Sequence, residues 1–211
     1  MKVGSLRAGG LIALLSVLCT AGAQAGELQD KIEYCKNCHG SSGQGLQGFY
    51  TAPRIASQQQ EYLENQFKAI AQHARDDPPA VQFMWPTMAS VKPGLRPSVA
   101  RYYSRLNPGP AADGPKSLVG AGKKIFTEGV PEKNVPACSA CHGEDAKGNG
   151  SIPRLAGQLY SYTVSQLKGW SKGYRHKSSI AAGEENTMLP IATAMSEKQI
   201  EAVAAYLSYQ R

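Results

Sequence analysis

The sequence predicts an all-α protein made of two tandem domains built on one plan. Three observations carry that expectation. A mixed polar and apolar string recurs down the chain at constant spacing, apolar residues fall at helical intervals, and glycine- and proline-rich stretches lie between them. No convincing run of alternating β-branched residues argues for a sheet.

The amino-terminal residues stand apart from this plan. Lys2 and Arg7 precede an apolar run from Leu11 to Leu18, and Ala23-Gln24-Ala25 supplies small residues, so residues 1–25 read as a secretory signal cleaved after Ala25. The run is far shorter than the roughly 20 residues that cross a bilayer, and no later stretch approaches that length, so the mature chain is expected to be soluble. Cys19 lies inside this leader. Bulky Leu18 stands where a lipoprotein signal needs a small residue, which argues against a lipid tether there. Of five cysteines, the four outside the leader all sit in two identical motifs, and no thiol remains for a disulfide. The leader takes two of the 23 basic side chains with it, which lowers the formal charge from +7 to +5. The remaining Lys and Arg are scattered rather than massed, which speaks against nucleic acid as a partner.

The repeat sets the domain plan. Pro53-Arg54-Ile55-Ala56, followed by Gln58, Tyr62, Gln66 and Lys68, recurs 100 residues later as Pro153-Arg154-Leu155-Ala156, followed by Gln158, Tyr162, Gln166 and Lys168. Upstream, CKNCHG at 35–40 matches CSACHG at 138–143, and downstream Met84-Trp85-Pro86 matches Met188-Leu189-Pro190. Residues 107–115, Asn-Pro-Gly-Pro-Ala-Ala-Asp-Gly-Pro, have no periodic apolar face and read as an extended linker. The amino-terminal domain is therefore placed at 26–106 and the carboxy-terminal domain at 116–211. Each holds fewer than a hundred residues, a size at which an apolar core is marginal and a bound prosthetic group commonly adds buried surface.

The helices follow in order. Tyr62, Leu63, Phe67 and Ile70 mark a middle helix of the first domain, and Val99, Tyr102, Tyr103 and Leu106 mark its last, with Pro97 in the first turn. Leu159, Tyr162, Leu167 and Trp170 mark the second domain's middle helix. Ile200, Val203, Ala204 and Leu207 mark its last, with Ser196 and Gln199 spaced as a capping box. Segments 40–48 and 143–150, rich in glycine, read as loops.

Cys35-Lys36-Asn37-Cys38-His39 and Cys138-Ser139-Ala140-Cys141-His142 carry the chemistry. Two thiols at C-x-x-C spacing add across the vinyl groups of one porphyrin, and the next histidine reaches the iron from the same turn. Zinc would need further ligands close by, and a redox dithiol would need a βαβ setting. Two matches at equivalent places in an exported repeat favour two covalent haem c groups, with Cys35, Cys38, Cys138 and Cys141 as attachment points and His39 and His142 as iron ligands.

The sixth position decides function, because a vacant site permits ligand chemistry and a filled one favours electron exchange. Met84 and Met188 occupy matched places, each followed two residues later by proline. They are the expected sixth ligands, with Met88 and Met195 read as core packing. His73 and His176 sit at unmatched places and read as surface or packing residues. The carbonyls of Pro53 and Pro153 are candidate acceptors for the ligating imidazoles; the alternative is that these prolines only turn the chain. Trp85, Trp170, Tyr62 and Tyr162 either wall the haem pockets or pack the helices.

With these motifs in view, the chain resembles the cytochrome c4 family over nearly all of the mature sequence. The likeness rests on the tandem CxxCHG motifs, Pro-Arg-Leu-Ala-Gly-Gln at 153–158, the Met188 segment running to Ser196, and the stretch from Val119 to Cys141. In the first domain Ser57 stands where the family often has glycine, and Lys92-Pro93-Gly94 replaces a Ser-led cap. The resemblance implies two class I cytochrome c folds about a pseudo-twofold axis. It also implies a periplasmic electron carrier, not an enzyme, that runs between a quinol-oxidising complex or a dehydrogenase and a terminal oxidase, with peripheral association at membrane complexes. A dihaem electron-accepting subunit of a dehydrogenase, such as a sulfide-oxidising flavocytochrome, is the alternative. A dihaem peroxidase would require one haem to lose its methionine.

Overall fold

The computed structural model describes residues 25–48, 50–175 and 187–211. Among them the regular structure is helical, with three isolated β-bridges and no strand. The expected leader, apart from Ala25, lies outside the described residues, as do Cys19 and His176.

In the first half, helix α1 (residues 25–39) ends on the Cys35–His39 motif. Helix α2 (Gln60–Ala71) follows the first glycine-rich loop and buries Leu63, Phe67, Ala69 and Ile70. A π-helical turn at Ala80–Met84 then runs directly into α3 (Trp85–Ser90). Helix α4 (Arg96–Ser104) carries Pro97 in its first turn and buries Val99, Ala100 and Tyr103 against α2. Its start has no side-chain cap and is led in by a 3-10 turn at Pro93–Leu95, where the second half places Ser196.

The second half follows the same general order, with its first helix broken. Helix α5 (Val119–Glu128) is separated from the four-residue α6 (Ser139–His142) by a 3-10 turn at Pro131–Lys133, whereas α1 runs on unbroken into its motif. Pro131 and Pro136 account for the break, since neither can donate the amide that helix continuation needs. Helices α7 (Tyr160–Ser171), α8 (Met188–Ala194) and α9 (Glu197–Tyr209) complete the half. Ser196 and Gln199 close a reciprocal capping box at the start of α9. Helix α9 crosses α5 so closely that a Cβ on Gly122 would stand 1.9 Å from the Ala202 carbonyl oxygen. Only glycine admits that approach.

Two apolar clusters result. One gathers Leu63, Phe67, Ile70, Met88, Val99 and Tyr103; the other gathers Phe126, Leu167, Met195, Ile200, Val203 and Leu207. Residues 107–115 contain no helix, yet they do not hang free. Arg54 Nη1 and Nη2 donate to the carbonyls of Gly109 and Pro108, Ala112 N–H donates to Ser208 O at 2.8 Å, and Asp113 accepts from Tyr160 N–H and Gln47. The connection is a strap bonded to both halves.

Candidate functional site: two matched pockets joined across the domain seam

A single cavity of about 900 Å³ runs between the halves, and its wall includes Cys35, Cys38, His39 and Met84 from one and Cys138, Cys141, His142 and Met188 from the other. Each CxxCH segment is helical, so its histidine follows the second cysteine within the same turn and turns inward. His39 and His142 are both 6% exposed. His39 Nδ1 lies 2.8 Å from Pro53 O, and His142 Nδ1 lies 3.0 Å from Pro153 O. A carbonyl only accepts, so each Nδ1 carries the proton and each Nε2 keeps a free lone pair. Burial pushes both imidazoles below their ordinary pKa, against the opposing pull of the carbonyl bond, and so holds them neutral as metal ligation requires. The carbonyls of Pro53 and Pro153 are thus the acceptors, and the prolines do more than turn the chain.

Each proline carbonyl is brought to its histidine by a glycine. Gly45 N–H and Gly148 N–H donate to the carbonyls of His39 and His142, each at 2.8 Å, with φ of +85° and +68°. A Cβ on Gly148 would meet Ile152 O at 2.2 Å and Pro153 O at 2.5 Å.

The four thiols are unpaired with one another. Cys35 and Cys138 are half-buried while Cys38 and Cys141 are exposed, and burial pushes the Cys35 and Cys138 thiols up to about 11. Met84 ends the π-helical turn and Met188 begins α8; both are partly buried at the edge of an apolar cluster. Met88 and Met195 also reach the cavity, but they are members of the clusters at 1% and 8% exposure, as expected of packing residues. Among the aromatic candidates, Tyr62, Tyr162 and Trp170 line the cavity. Trp85 instead donates to Arg75 O and stacks on exposed His73 at 4.0 Å.

Sequence reasoning missed the polar seam between the pockets. Arg75 donates to Asp77 and Gln66 in its own half, and to Tyr162 and Gln166 in the other, at 2.8 to 3.0 Å. Arg175 mirrors it, donating to Gln166 and across the seam to Tyr62 and Gln66 at 3.1 to 3.2 Å. Burial pushes the Asp77 carboxyl up, but Arg75, with Arg175 beyond it, outweighs that and holds it below the usual carboxylate range. Closer to the histidines, Gln58 bonds the backbone of Arg154 and Gln158 bonds the backbone of Arg54. The reciprocal pairing is a pseudo-twofold relation written in hydrogen bonds. The signal was present in the sequence, because every member except Asp77 recurs at an offset of 100.

A profile of the Cytochrome c family matches residues 119–210. Cytochrome c-552 of Acidithiobacillus ferridurans is 36% identical over 204 residues, covering 93% of this chain and 84% of that protein. The solved structure of cytochrome c4 from Acidithiobacillus ferrooxidans superposes with a TM-score of 0.72 at 34% identity, covering 83% of this chain and 98% of that one. The chain belongs to the cytochrome c4 family. A further relative, named as a thiosulfate dehydrogenase electron acceptor, from Thiomonas intermedia, is 34% identical over 181 residues, covering 83% of this chain and 78% of that protein.

As a cytochrome c4, the protein consists of two tandem class I cytochrome c domains, binds two covalently attached haem c groups and carries electrons. Its cavity fits those groups on its own chemistry. Each end offers two free thiols, one neutral imidazole with its distal nitrogen free, and one thioether, within mostly apolar walls. The buried Trp170 Nε1 has no hydrogen-bond partner among the described residues, as expected of a donor that awaits a polar substituent of the bound group.

Proposed function

We propose that this protein is a periplasmic dihaem electron carrier in which Cys35 and Cys38 attach one haem and Cys138 and Cys141 the other. One iron is held by His39 and Met84, the other by His142 and Met188. The observation that carries this reading is the matched placement of those eight residues on one cavity, with both imidazoles buried and fixed through Nδ1. When bound, the haems would supply one-electron exchange, and His39, Met84, His142 and Met188 would hold the irons while the cavity walls keep water away. A thioether is soft and favours the ferrous state, which suits a carrier late in a respiratory chain. The reading includes export, with residues 1–25 removed, domains at 26–106 and 116–211, and the strap 107–115 between them. No helix among the described residues is long and apolar enough to cross a membrane, in keeping with peripheral contact with membrane complexes.

The route we favour runs from a quinol-oxidising complex or dehydrogenase to a terminal oxidase. A second reading is a dedicated electron acceptor of a dehydrogenase. The likeness to the Thiomonas intermedia protein favours thiosulfate dehydrogenase over a sulfide-oxidising flavocytochrome in that role. Intact-mass and peptide mass spectrometry of the exported protein tests the cofactor assignment: two haem adducts, at peptides 35–38 and 138–141, are expected, and an unmodified cysteine pair overturns it. Stopped-flow reduction separates the routes. Rapid reduction by a thiosulfate dehydrogenase with thiosulfate supports the second, and reduction only by a quinol-oxidising complex supports the first.

A further inference from the structure

The bonds around each histidine do not stop at the proline carbonyl. Pro53 C=O and Arg54 N–H are two ends of one peptide group. The carbonyl accepts from His39 Nδ1 at 2.8 Å, and the N–H donates to Gln158 Oε1, a residue of the other domain, at 2.8 Å. The mirror peptide does the same: Pro153 O accepts from His142 Nδ1 at 3.0 Å, and Arg154 N–H donates to Gln58 Oε1 at 2.7 Å. Each glutamine is locked in place. Its Nε2 donates back to the carbonyl of the same arginine at 2.9 Å, and its Oε1 also accepts the N–H of the following residue, Gln59 or Leu159. The histidine, arginine and glutamine of both hydrogen-bond chains are buried, from Arg54 at 4% to Gln158 at 8% exposure.

We propose that Gln58 and Gln158 are positioning residues that tune the reduction potential of the haem in the opposite domain, acting through the peptide group that binds its axial histidine. A peptide whose N–H is engaged has a more polarised carbonyl, because hydrogen bonds in a chain strengthen one another by about 10–30% each. A stronger acceptor draws the Nδ1 proton further from the ring, makes the ligand nitrogen more electron-rich and stabilises ferric iron. Gln158 therefore lowers the potential of the first haem, and Gln58 that of the second. Because coupling is reciprocal, oxidation of one haem tightens the opposite domain's glutamine on its peptide, so each haem senses that the two domains are docked.

The inference rests on His39 and His142 being the ligands, and the test keeps the two claims apart. The holoprotein carrying Gln158→Met is titrated potentiometrically by NMR, with haem methyl resonances assigned to each domain. The expected result is a rise in the first haem's potential, about threefold in its reduction constant or about 28 mV at 59 mV per decade. A displaced His39 Nδ1–H resonance and a second haem moved much less complete the expected pattern. Gln58→Met gives the crossed result. Gln158→Asn, one methylene short, gives the same direction and serves if the methionine variant does not assemble. Equal movement of both potentials, or movement of the same-domain haem alone, shows a merely structural role and overturns the proposal. Unchanged potentials with histidine ligation intact overturn it too, while leaving the ligand assignment standing. Wild-type spectra that lack an axial histidine signal overturn the ligand assignment instead.

Discussion

Replacing Arg75 with methionine removes a guanidinium from the centre of the domain seam while keeping most of its stem. Its four bonds, to Asp77, Gln66, Tyr162 and Gln166, are lost together, and Asp77 is left 6% exposed without the partner 2.8 Å away. Removal of one member of a buried ion pair costs about 3–5 kcal/mol, chiefly because the remaining charge stays desolvated. The individual hydrogen bonds, at about 1 kcal/mol each, do not add on top of that figure. The assay is urea unfolding of the holoprotein, followed through both haem absorbance and helical circular dichroism. Since two of the four bonds cross to the other domain, the variant is also expected to unfold in two steps where the parent unfolds in one. The double variant Arg75→Met with Asp77→Asn is expected to recover a large part of the loss, because no uncompensated charge remains. A loss below about 1 kcal/mol, or a double variant no better than the single one, refutes the reasoning, since both outcomes mean that Asp77 is not held by Arg75.

The same pair sets an acid limit. The Asp77 carboxyl lies below its unfolded value near 3.9, so its contribution is fully present above that value and is lost as pH falls through the depressed folded one. Asp77→Asn is expected to flatten that acid limb in unfolding titrations; an unaltered slope counts against the assignment. Gly148→Ala is expected to cost more than about 1 kcal/mol, because φ is +68° and the new Cβ displaces the Pro153 carbonyl. Calorimetry reads the loss, and the second haem's potential is expected to rise as its histidine bond lengthens. Met188→Ala is expected to lower that same potential and to open the iron to carbon monoxide in the reduced protein. If Met195→Ala does this instead, the sixth ligand is the other methionine.

The sequence makes the helices and the haem motifs legible because each depends on local rules. Val99, Tyr103, Ile200 and Leu207 face their cores at the spacing that periodicity indicates, and Ser196 caps α9 as its Gln199 partner implies. Helices α1 and α5 are harder to read. Helix α1 gives its last turns, with Tyr34, Cys35 and His39, to the cavity wall, so its apolar pattern is broken by the motif itself. The π-helical turn that presents Met84 has no residue signature, since an extra residue per turn is imposed by what it must reach. The polar seam escapes for another reason. Gln58, Gln158, Arg75 and Arg175 look like solvated residues one at a time, and only the pairing of two domains makes partners of them. Their recurrence at one offset is the trace that a symmetric interface leaves in a tandem repeat.

A carrier rather than an enzyme requires that each iron be held by both its histidine and its methionine. Redox titration with combined optical and electron paramagnetic resonance detection examines this directly. Two one-electron steps from two low-spin ferric centres, each with the signature of imidazole and thioether ligation, are the predicted result. A high-spin centre, or one whose spectrum changes on adding a small exogenous ligand to the native protein, contradicts it and moves the protein from carrier toward enzyme.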